Sequence, residues 1–396
     1  MKAQILYGIG NLNIADIEKP SPKEGEALVR VTRCGICGSD VPRVYKTGAH
    51  NMPLIPGHEF CGVVEKCDSD ERYVGKRVGV FPLIPCRTCS QCKEKHYEMC
   101  ENYNYLGSRS DGGFAEYVTV PLWNLLPLPD EVGDDEAAML EPMAVAVHAI
   151  RRIGLSLCDR GALKKSEKAK TIVVCGLGTI GLMVAMFLRD AGYHKVLLIG
   201  NKTVQKEKAL KMGYAEEDYC DVRYGDPVNF IMSRTGELGA DYYFECIGRT
   251  ENYAQALKCM APMGAVMLVG NPYSDMELPK EVYWKILRGQ LTIKGTWNSS
   301  YLGPAEGRDL GEEIGGKRQP LDDWRYVISR ISSWKKKADT AGSSGEAGDK
   351  KERDVFLPDE LITHRFTLSD MQDGLRIMQK KSEEYIKIMI DTSLDV

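Results

Sequence analysis

The stretch Thr171-Ile-Val-Val-Cys-Gly-Leu-Gly-Thr-Ile-Gly181 decides the fold of this chain. An apolar run leads into the pattern G-x-G-x-x-G, and a helical pattern opens at Leu182. The glycines permit a tight turn, close approach of the backbone to a pyrophosphate, and close packing of helix on strand, while the helix N-terminus attracts phosphates. In this context the motif predicts a dinucleotide site; a glycine-rich turn without a ligand is the alternative. The predicted contact residues are Gly176, Gly178, Thr179, Ile180 and Gly181.

Strands and helices alternate downstream of this loop. Helical patterns lie between most of the apolar runs, and this alternation predicts a doubly wound parallel sheet. The predicted strands are Thr171–Cys175, Val196–Ile199, Asp241–Glu245, Ala265–Val269 and Leu291–Lys294. The expected fold class is therefore α/β, with a Rossmann nucleotide-binding domain at residues 151–296.

The first 150 residues have a different pattern. Short β-rich runs, including the alternating Phe114–Val120, are separated by Gly, Pro and Cys, which predicts a mostly β domain. The pattern turns helical at Met139–Ile153, and the polar stretch Ser156–Lys170 has the composition of a surface connection. We therefore expect a domain boundary close to residue 150.

The end of the second predicted strand bears on the choice of cofactor. A site that prefers NAD usually has Asp or Glu here, which binds the ribose 2′-hydroxyl. This chain has Gly200-Asn201-Lys202 instead. A small residue leaves room for a 2′-phosphate, and Lys202 could neutralise it as a point charge, so NADP is favoured over NAD. Alternatively, Lys202, Lys206 and Lys208 form only a solvated helix start.

Four cysteines lie close together in a stretch rich in proline and polar residues, at Cys86, Cys89, Cys92 and Cys100. This spacing allows four thiolates to converge on one tetrahedral zinc ion and to fill every coordination position, so such a zinc would be structural. An iron–sulfur cluster is the chemical alternative, and four unrelated thiols are a third. We predict one structural zinc in a lobe at about residues 82–104.

A second, dispersed set of candidate ligands comprises Cys37, His58 and Glu141. Cys37 and His58 follow β-like runs beside glycines, and Glu141 comes just before the helical stretch. Three protein ligands from separate segments leave a fourth position open, which is the pattern of a catalytic zinc. The alternative is that His58 and Glu59 are an ordinary surface or core pair.

Composition excludes several classes of protein. The 396 residues are 43% hydrophobic, which suffices for two or three domains with cores of their own. The net charge of −4 gives no reason to expect nucleic acid or an anionic membrane surface as a partner. The N-terminus lacks the apolar region of a signal peptide, and no apolar run reaches the roughly 18 residues that span a bilayer. Together with an odd total of 13 cysteines, this predicts a cytoplasmic protein in a reducing compartment.

After Trp297 the alternation of strands and helices stops. Residues 335–353 are rich in charge and poor in apolar side chains, which predicts a mobile surface insertion; a contact to a partner or another subunit is the alternative. A helix at Leu368–Gln379 and a strand at Tyr385–Ile390 are expected to close the chain.

The glycine loop, the four-cysteine lobe, the His58-Glu59 pair and their order along the chain together resemble the zinc-dependent medium-chain dehydrogenase/reductase family. The resemblance covers essentially the whole chain. It implies a GroES-like, mostly β catalytic domain made from both chain ends, residues 1–150 and 297–396, around an inserted Rossmann domain. It also implies an enzyme that oxidises a CH–OH group with NAD or NADP.

The resemblance assigns roles to the dispersed residues. The catalytic zinc ligands that it implies are Cys37, His58 and Glu141. Glu59 would be an alternative ligand that exchanges with water or substrate. Ser39 matches the proton-relay hydroxyl of the family, and Asp40 matches a carboxylate that orients His58.

Several motifs look most like the galactitol-phosphate group of the family, which implies a sugar or polyol phosphate as substrate. These motifs occupy residues 37–43, 47–50, 82–86, 107–117 and 285–288. Arg43 and Arg109 are cations in them and would bind the phosphate, unless they are ordinary surface arginines. Trp297 also matches this group, whereas the substrate arginine that sorbitol dehydrogenases carry nearby is missing.

Two other functions stay open. One is a free-polyol, threonine-type, or ribulose- or ribitol-5-phosphate oxidoreductase on the same scaffold. The other is a non-catalytic nucleotide or zinc sensor, whose sign would be a broken ligand set, whereas the set in this chain is complete. We also expect a homo-oligomer, a dimer or a tetramer.

Overall fold

The computed structural model describes residues 1–157, 163–304, 311–314, 317–320, 322–343 and 356–393. The strands are β1 (Lys2–Gly8), β2 (Asn11–Asp16), β3 (Glu26–Ile36), β4 (Glu59–Lys66), β5 (Arg77–Val80), β6 (Leu83–Ile84), β7 (Asn104–Tyr105), β8 (Tyr117–Pro121), β9 (Leu125–Pro127), β10 (Ile172–Cys175), β11 (Val196–Gly200), β12 (Tyr219–Asp221), β13 (Ala240–Glu245), β14 (Met260–Leu268), β15 (Thr292–Gly295), β16 (Gly311–Ile314), β17 (Lys317–Pro320), β18 (Ile362–Thr367) and β19 (Lys387–Asp391).

The helices connect these strands and cover the sheets. The α-helices are α1 (Asp40–Pro42), α2 (Ser90–Lys93), α3 (Asp134–Ala138), α4 (Leu140–Ile153), α5 (Lys165–Lys168), α6 (Thr179–Ala191), α7 (Thr203–Lys211), α8 (Pro227–Thr235), α9 (Thr250–Lys258), α10 (Lys280–Gly289), α11 (Asp323–Ser343) and α12 (Met371–Lys380). Short 3-10 turns lie at Glu71–Tyr73, Tyr97–Met99, Leu122–Asn124, Glu216–Asp218 and Pro358–Leu361, and a π-helical turn lies at Arg43–Thr47. Within the described part of the chain, no helix combines the length and the apolar character that crossing a bilayer requires.

The glycine loop belongs to a parallel sheet of six strands in the order β12-β11-β10-β13-β14-β15. The five strands expected from the sequence are all present, and β10 and β11 are buried along their whole length. β12 was not predicted, because a strand of three residues beside an acidic turn leaves little periodic signal. The strand order reverses between β10 and β13, and sheets of this kind bind ligands at the carboxyl ends beside such a reversal.

The two chain ends share a second, mostly antiparallel sheet of seven strands. Its order is β18-β19-β3-β4-β5-β9, and β8 also pairs with β3. The C-terminal strand β19 pairs with β3 so that Ile388 lies opposite Ile36 and Ile390 opposite Cys34. This register brings the first residue of β19, Lys387, next to the point where β3 ends.

α4 lies between the two sheets. It has contacts to β4 on one side and to α6 and β14 on the other, and most of its side chains are buried. The helix ends at Gly154, whose φ of 98° is the left-handed conformation that glycine adopts without strain. Because Glu141 is in its first turn, α4 also carries a candidate ligand into the interior.

α11 extends into the segment expected to be a mobile surface insertion, residues 335–353. The helix continues to Ser343, while residues 344–353 lie outside the described residues, so the insertion stays a prediction. Its apolar stripe, Trp324, Val327, Ile331 and Trp334, is buried at helical spacing. The charged residues that follow continue the same helix, and their composition gives no sign of a helix in the sequence.

α11 also packs on the cofactor side of the molecule. The rings of Trp334 and Phe187 of α6 lie 5.6 Å apart, and Arg330 binds Asp190 of α6 through two hydrogen bonds of 2.8 and 3.0 Å. Lys335 pairs with the buried Glu136 at 2.5 Å. α11, which follows residue 297, therefore contacts the Rossmann domain.

Candidate active site

Cys37, Ser39 and Asp40 form the turn that follows β3. The N–H of Cys37 donates to Asp40 Oδ2 at 2.9 Å, and the N–H of Asp40 donates to the Cys37 carbonyl at 3.0 Å. Ser39 Oγ donates to Cys37 Sγ at 3.3 Å. Asp40 is fully buried, so its carboxylate fixes the turn and with it the direction of the Cys37 thiol.

His58 and Glu59 enter the site at the start of β4. Because β4 pairs with β3, with Glu59 opposite Gly35, both residues arrive beside Cys37. The ligand atoms of Cys37, His58 and Glu59 all lie within 4.8 Å of one another. His58 Nδ1 is buried without a hydrogen-bond partner, and Asp40 Oδ1 lies 3.7 Å from it. A thiol, a carboxylate and an unpaired imidazole nitrogen at this separation fit a zinc ion.

Glu141 is near this group but outside it. Its Oε1 accepts a hydrogen bond of 3.3 Å from the hydroxyl of Tyr105, whose ring lies edge-on to His58 with 5.8 Å between centroids. Burial raises the pKa of Glu141 to about 7, although His58 counteracts the shift. The structure therefore places Glu59, the expected alternative ligand, with Cys37 and His58, because Glu59 follows His58 on the same strand while Glu141 comes from a helix.

Lys387 is a site residue that the sequence did not reveal. It is 1% exposed, forms an ion pair with the Glu59 carboxylate, and donates to the carbonyl of Ile36 at 3.0 Å. Burial opposes its charge, but Glu59 and the Cys37 thiol outweigh that effect and raise the pKa of Lys387. The lysine is separated from Glu59 by 328 residues, so no local motif could have pointed to the pair.

The electrostatic surroundings of the Cys37 thiol favour the binding of a cation. Burial, reinforced by the carboxylates of Glu59 and Asp40, raises the pKa of Cys37 to about 12. A proton or a metal ion must therefore balance the sulfur, and a bound metal would displace that proton.

The four cysteines of the predicted lobe also converge. The sulfur atoms of Cys86, Cys89, Cys92 and Cys100 all lie within 4.8 Å of one another. The N–H of Cys86 donates to Cys100 Sγ at 3.2 Å, and the N–H of Cys89 donates to Cys86 Sγ at 3.4 Å. Hydrogen bonds from Thr88 and from the backbone lower the pKa of Cys86 to about 5. Hydrogen bonds likewise lower the pKa of Cys89, whereas burial raises the pKa of Cys92 and Cys100, and the convergence of four sulfurs fits a closed zinc site.

The glycine loop is shaped to receive a dinucleotide. Gly176 has a φ of 91°, and a Cβ atom there would lie 2.4 Å from Ile247 Cγ1. A Cβ atom on Gly181 would lie 2.1 Å from the carbonyl oxygen of Gly176, whereas Gly178 faces open space. The first and third glycines are thus required for packing, and the second leaves the space that a pyrophosphate needs. Thr179, the first residue of α6, donates from Oγ1 to the carbonyl of Ile386 at 2.6 Å, and Ile180 follows it in the helix.

Tight packing explains the glycine at the end of β11. A Cβ atom on Gly200 would lie 2.4 Å from the hydroxyl oxygen of Tyr219, so a larger residue there would require its neighbours to shift. The N–H groups of Asn201 and Lys202 donate to Gln205 Oε1 at 2.9 and 3.2 Å. Lys202 Nζ lies 4.4 Å from the centroid of the Tyr385 ring, so the C-terminal segment holds the predicted cation.

The predicted substrate residues lie in three different environments. Arg43 forms an ion pair with the buried Asp40. Arg109 stacks on Tyr103, with 4.3 Å from its guanidinium carbon to the ring centroid, and donates to the Tyr103 carbonyl at 3.4 Å. Trp297 is exposed.

Two family matches and one curated relative decide the identity of the chain. Residues 23–130 match the alcohol dehydrogenase GroES-like domain, and residues 179–313 match the zinc-binding dehydrogenase family. Over 313 residues the chain is 31% identical to galactitol 1-phosphate 5-dehydrogenase of Escherichia coli, which covers 78% of this chain and 86% of that protein. The chain belongs to the zinc-dependent medium-chain dehydrogenase/reductase family.

Further relatives of this medium-chain dehydrogenase agree on the chemistry. Erythritol/L-threitol dehydrogenase of Mycolicibacterium smegmatis is 28% identical over 411 residues, with 98% of this chain and 97% of that protein covered. The crystal structure of galactitol-1-phosphate dehydrogenase from Escherichia coli superimposes with a TM-score of 0.79 at 26% identity, over 99% of this chain and 100% of that chain. The predicted family, the α/β fold class and the activity of a zinc-dependent alcohol or polyol dehydrogenase with a small-molecule substrate are thereby confirmed.

Proposed function

We propose that this chain interconverts a secondary alcohol and a ketone on a sugar or polyol phosphate, with galactitol 1-phosphate and tagatose 6-phosphate as the pair. The observation that carries the reaction is the group of Cys37, His58 and Glu59, because its donor atoms suit a zinc ion that keeps one position for substrate. The galactitol 1-phosphate relative supports the substrate class.

The metal and the cofactor supply the reactive chemistry in this proposal. Zinc held by Cys37 and His58, with Glu141 or Glu59 as the third ligand, would supply a Lewis acid for the substrate hydroxyl, and the nicotinamide would supply the hydride acceptor. A second zinc on the four-cysteine lobe would have a structural role only.

The chain itself handles the proton. The Ser39 hydroxyl lies 3.3 Å from Sγ of Cys37, one of the residues that would hold the zinc. We assign Ser39 the role of accepting the substrate hydroxyl proton at Oγ and passing it towards solvent. Asp40 positions both Cys37 and His58, since it accepts a hydrogen bond from the Cys37 backbone and lies beside His58.

Arg109 is the better of the two candidate phosphate ligands. Arg43 is already paired with the buried Asp40, so it would have to leave a buried carboxylate without its partner in order to bind a phosphate. Among the described residues, the Arg109 guanidinium has only a stacking contact and one long hydrogen bond to give up. Trp297, exposed after the last strand of the parallel sheet, is proposed to contact the carbon chain of the substrate.

NADP is the proposed cofactor in preference to NAD. The supporting observation is that Gly200, at the end of β11, provides no carboxylate to bind a ribose 2′-hydroxyl. Lys202, two residues after Gly200, is the cation of this loop that would neutralise the 2′-phosphate.

Self-association is proposed through the free edge of the parallel sheet. β15 is the last strand of that sheet in the described residues, and α10, which packs on the adjacent strand β14, exposes Tyr283, Trp284 and Leu287. An unpaired edge next to exposed apolar side chains favours pairing with a second copy of this chain.

A substrate panel tests the proposed function. Galactitol 1-phosphate, galactitol, sorbitol, L-threonine and ribitol 5-phosphate are each assayed for oxidation with NADP and with NAD. The expected result is the highest kcat/KM for galactitol 1-phosphate with NADP. A higher kcat/KM for a free polyol or for threonine would contradict the proposed substrate class, and a higher value with NAD would contradict the cofactor.

A further inference from the structure

Glu384 is remote from the cofactor loops in sequence but adjacent to them in space. It lies between α12 and β19, in the segment that crosses from the C-terminal part of the chain to the Rossmann domain. Its Oε1 accepts a hydrogen bond from the N–H of Thr203 at 3.2 Å, and its Oε2 accepts one from the N–H of Val204 at 2.9 Å. Both donors belong to the first turn of α7, the nine-residue helix that follows Gly200-Asn201-Lys202.

α7 does not provide an acceptor of its own for these N–H groups. Its N-cap residue, Lys202, makes no capping hydrogen bond through its side chain, and its first turn carries no acidic residue. Gln205 Oε1 is used by the N–H groups of Asn201 and Lys202. Glu384 thus caps the helix from a distant part of the chain, where a negative charge is favourable because the helix N-terminus is partially positive.

The neighbour of Glu384 holds the cation expected to bind a 2′-phosphate. Tyr385 presents its ring to Lys202 Nζ at 4.4 Å. Burial, as the largest effect, lowers the pKa of Lys202, and the Glu384 carboxylate partly offsets that shift. Lys202 and the start of α7 are therefore both engaged by two consecutive residues of the C-terminal segment.

We propose that Glu384 lowers the affinity for NADP, because its carboxylate takes an anion position that the 2′-phosphate of NADP would otherwise use. The inference rests on the proposed binding of the adenosine ribose beside Gly200 and Lys202. A 2′-phosphate and the carboxylate carry the same sign of charge and compete for the same donors. The neutral 2′-hydroxyl of NAD leaves Glu384 in place. Glu384 therefore weakens the binding of NADP and leaves that of NAD unaffected.

Glu384→Gln is the test variant, because it removes the charge but keeps the shape and one acceptor oxygen for α7. Glu384→Ser removes the charge in a second way. Glu383→Gln is the matched control, since it makes the same change at a neighbouring side chain that contacts His364 Nε2 at 3.2 Å instead of α7. Isothermal titration calorimetry with adenosine 2′,5′-bisphosphate and with AMP reports on the adenosine end without turnover, and KM values for NADP and NAD report on the complete cofactors.

Both Glu384 variants are expected to bind adenosine 2′,5′-bisphosphate about fivefold more tightly than the unchanged protein, which is the effect of about one charge at a helix N-terminus. AMP binding should not change, the KM for NADP should fall by a similar factor, and Glu383→Gln should alter none of these values. Unchanged binding of the bisphosphate would overturn the proposal. Weaker binding of AMP and NAD would also overturn it and would make Glu384 a ribose ligand.

The outcome for Glu384 can be told apart from the outcome for the proposed function. The cofactor preference of the unchanged protein is measured first, and a preference for NAD contradicts the proposed use of NADP. The role of Glu384 is then decided by the ratio of the two affinities in each variant relative to that protein. A shift of the ratio towards the phosphorylated ligand supports the role, and a constant ratio overturns it.

Discussion

Charged residues around Cys37 are buried in pairs. Glu59 is paired with Lys387, and Asp40 is paired with Arg43. A buried charge without a partner costs several kcal/mol. The opposite charge in each pair therefore offsets the cost of burying the carboxylate. The arrangement leaves His58 Nδ1 without a hydrogen-bond partner, and His58 and Cys37 are the residues expected to bind metal.

The proposed proton relay predicts the behaviour of Ser39→Ala. Removal of the hydroxyl should lower kcat roughly 100-fold, the usual contribution of one positioned proton-transfer group, and should leave the zinc content unchanged. Steady-state kinetics with metal analysis measures both quantities. Ser233→Ala, at an exposed serine of α8, is the control and should retain full activity. A kcat for Ser39→Ala equal to that of the control would remove Ser39 from the relay.

The buried ion pair predicts the stability of Lys387 variants. Lys387→Met leaves Glu59 as an unpaired buried charge, so the free energy of unfolding of the metal-free protein should fall by about 3–5 kcal/mol. The double variant Lys387→Met with Glu59→Gln removes both charges and should recover most of this loss. Urea denaturation in the presence of a chelator provides the comparison. Equal losses in the single and double variants would show that packing, and not the pair, carries the effect.

Single elements place the two groups of candidate ligands. The turn after β3 and the start of β4 are neighbours in the sheet, which is why Cys37 and His58 meet. The cysteine lobe depends instead on a local loop between β6 and β7, with α2 inside it. α11 likewise depends on packing. Its Trp334 packs against α6 and its Arg330 donates a hydrogen bond to Asp190 of α6, although the last turns of α11 have the composition of a surface segment.

Removal of one cysteine from the lobe tests its role as a metal site. Cys92→Ser should reduce the zinc content from about two ions per chain to about one. It should lower the melting temperature by roughly 5 °C or more, because binding of a structural metal contributes to folding. Elemental analysis and thermal unfolding measure the two effects. Cys67→Ser, at a buried thiol outside both ligand groups, should keep both ions, and the presence of iron in the unchanged protein would contradict the assignment of zinc.

At the scale of the whole molecule, the C-terminal segment connects the two sheets. Four consecutive residues contact different parts of the site: Glu384 caps α7, Tyr385 faces Lys202, Ile386 accepts from Thr179, and Lys387 pairs with Glu59. The positions expected for adenosine, pyrophosphate and metal are therefore connected by one short stretch of backbone. A change in cofactor binding should therefore affect the residues that are expected to bind metal.

The exposed edge of the parallel sheet predicts the effect of Leu287→Glu. A charge on the apolar surface of α10 should prevent two copies from meeting, so the molecular mass in solution should fall from that of an oligomer to that of a monomer. Size-exclusion chromatography with light scattering measures the mass. Leu210→Glu makes the same change at an exposed leucine of α7, which packs on β11 and not on β15, and should leave the mass unchanged. A monomeric unchanged protein would contradict the proposed self-association.

The sequence alone determined the features that depend on residues close together in the chain. The glycine loop, the alternation of strands and helices, and the spacing of four cysteines follow from local backbone geometry, which has a fixed period and a fixed reach. The tertiary structure alone decided which distant groups meet. It placed Glu59 rather than Glu141 beside Cys37 and His58, and it brought Lys387 and Glu384 into the site. These contacts depend on strand register and on packing between the sheets, and a pairing across more than 300 residues leaves no periodic signal in either segment.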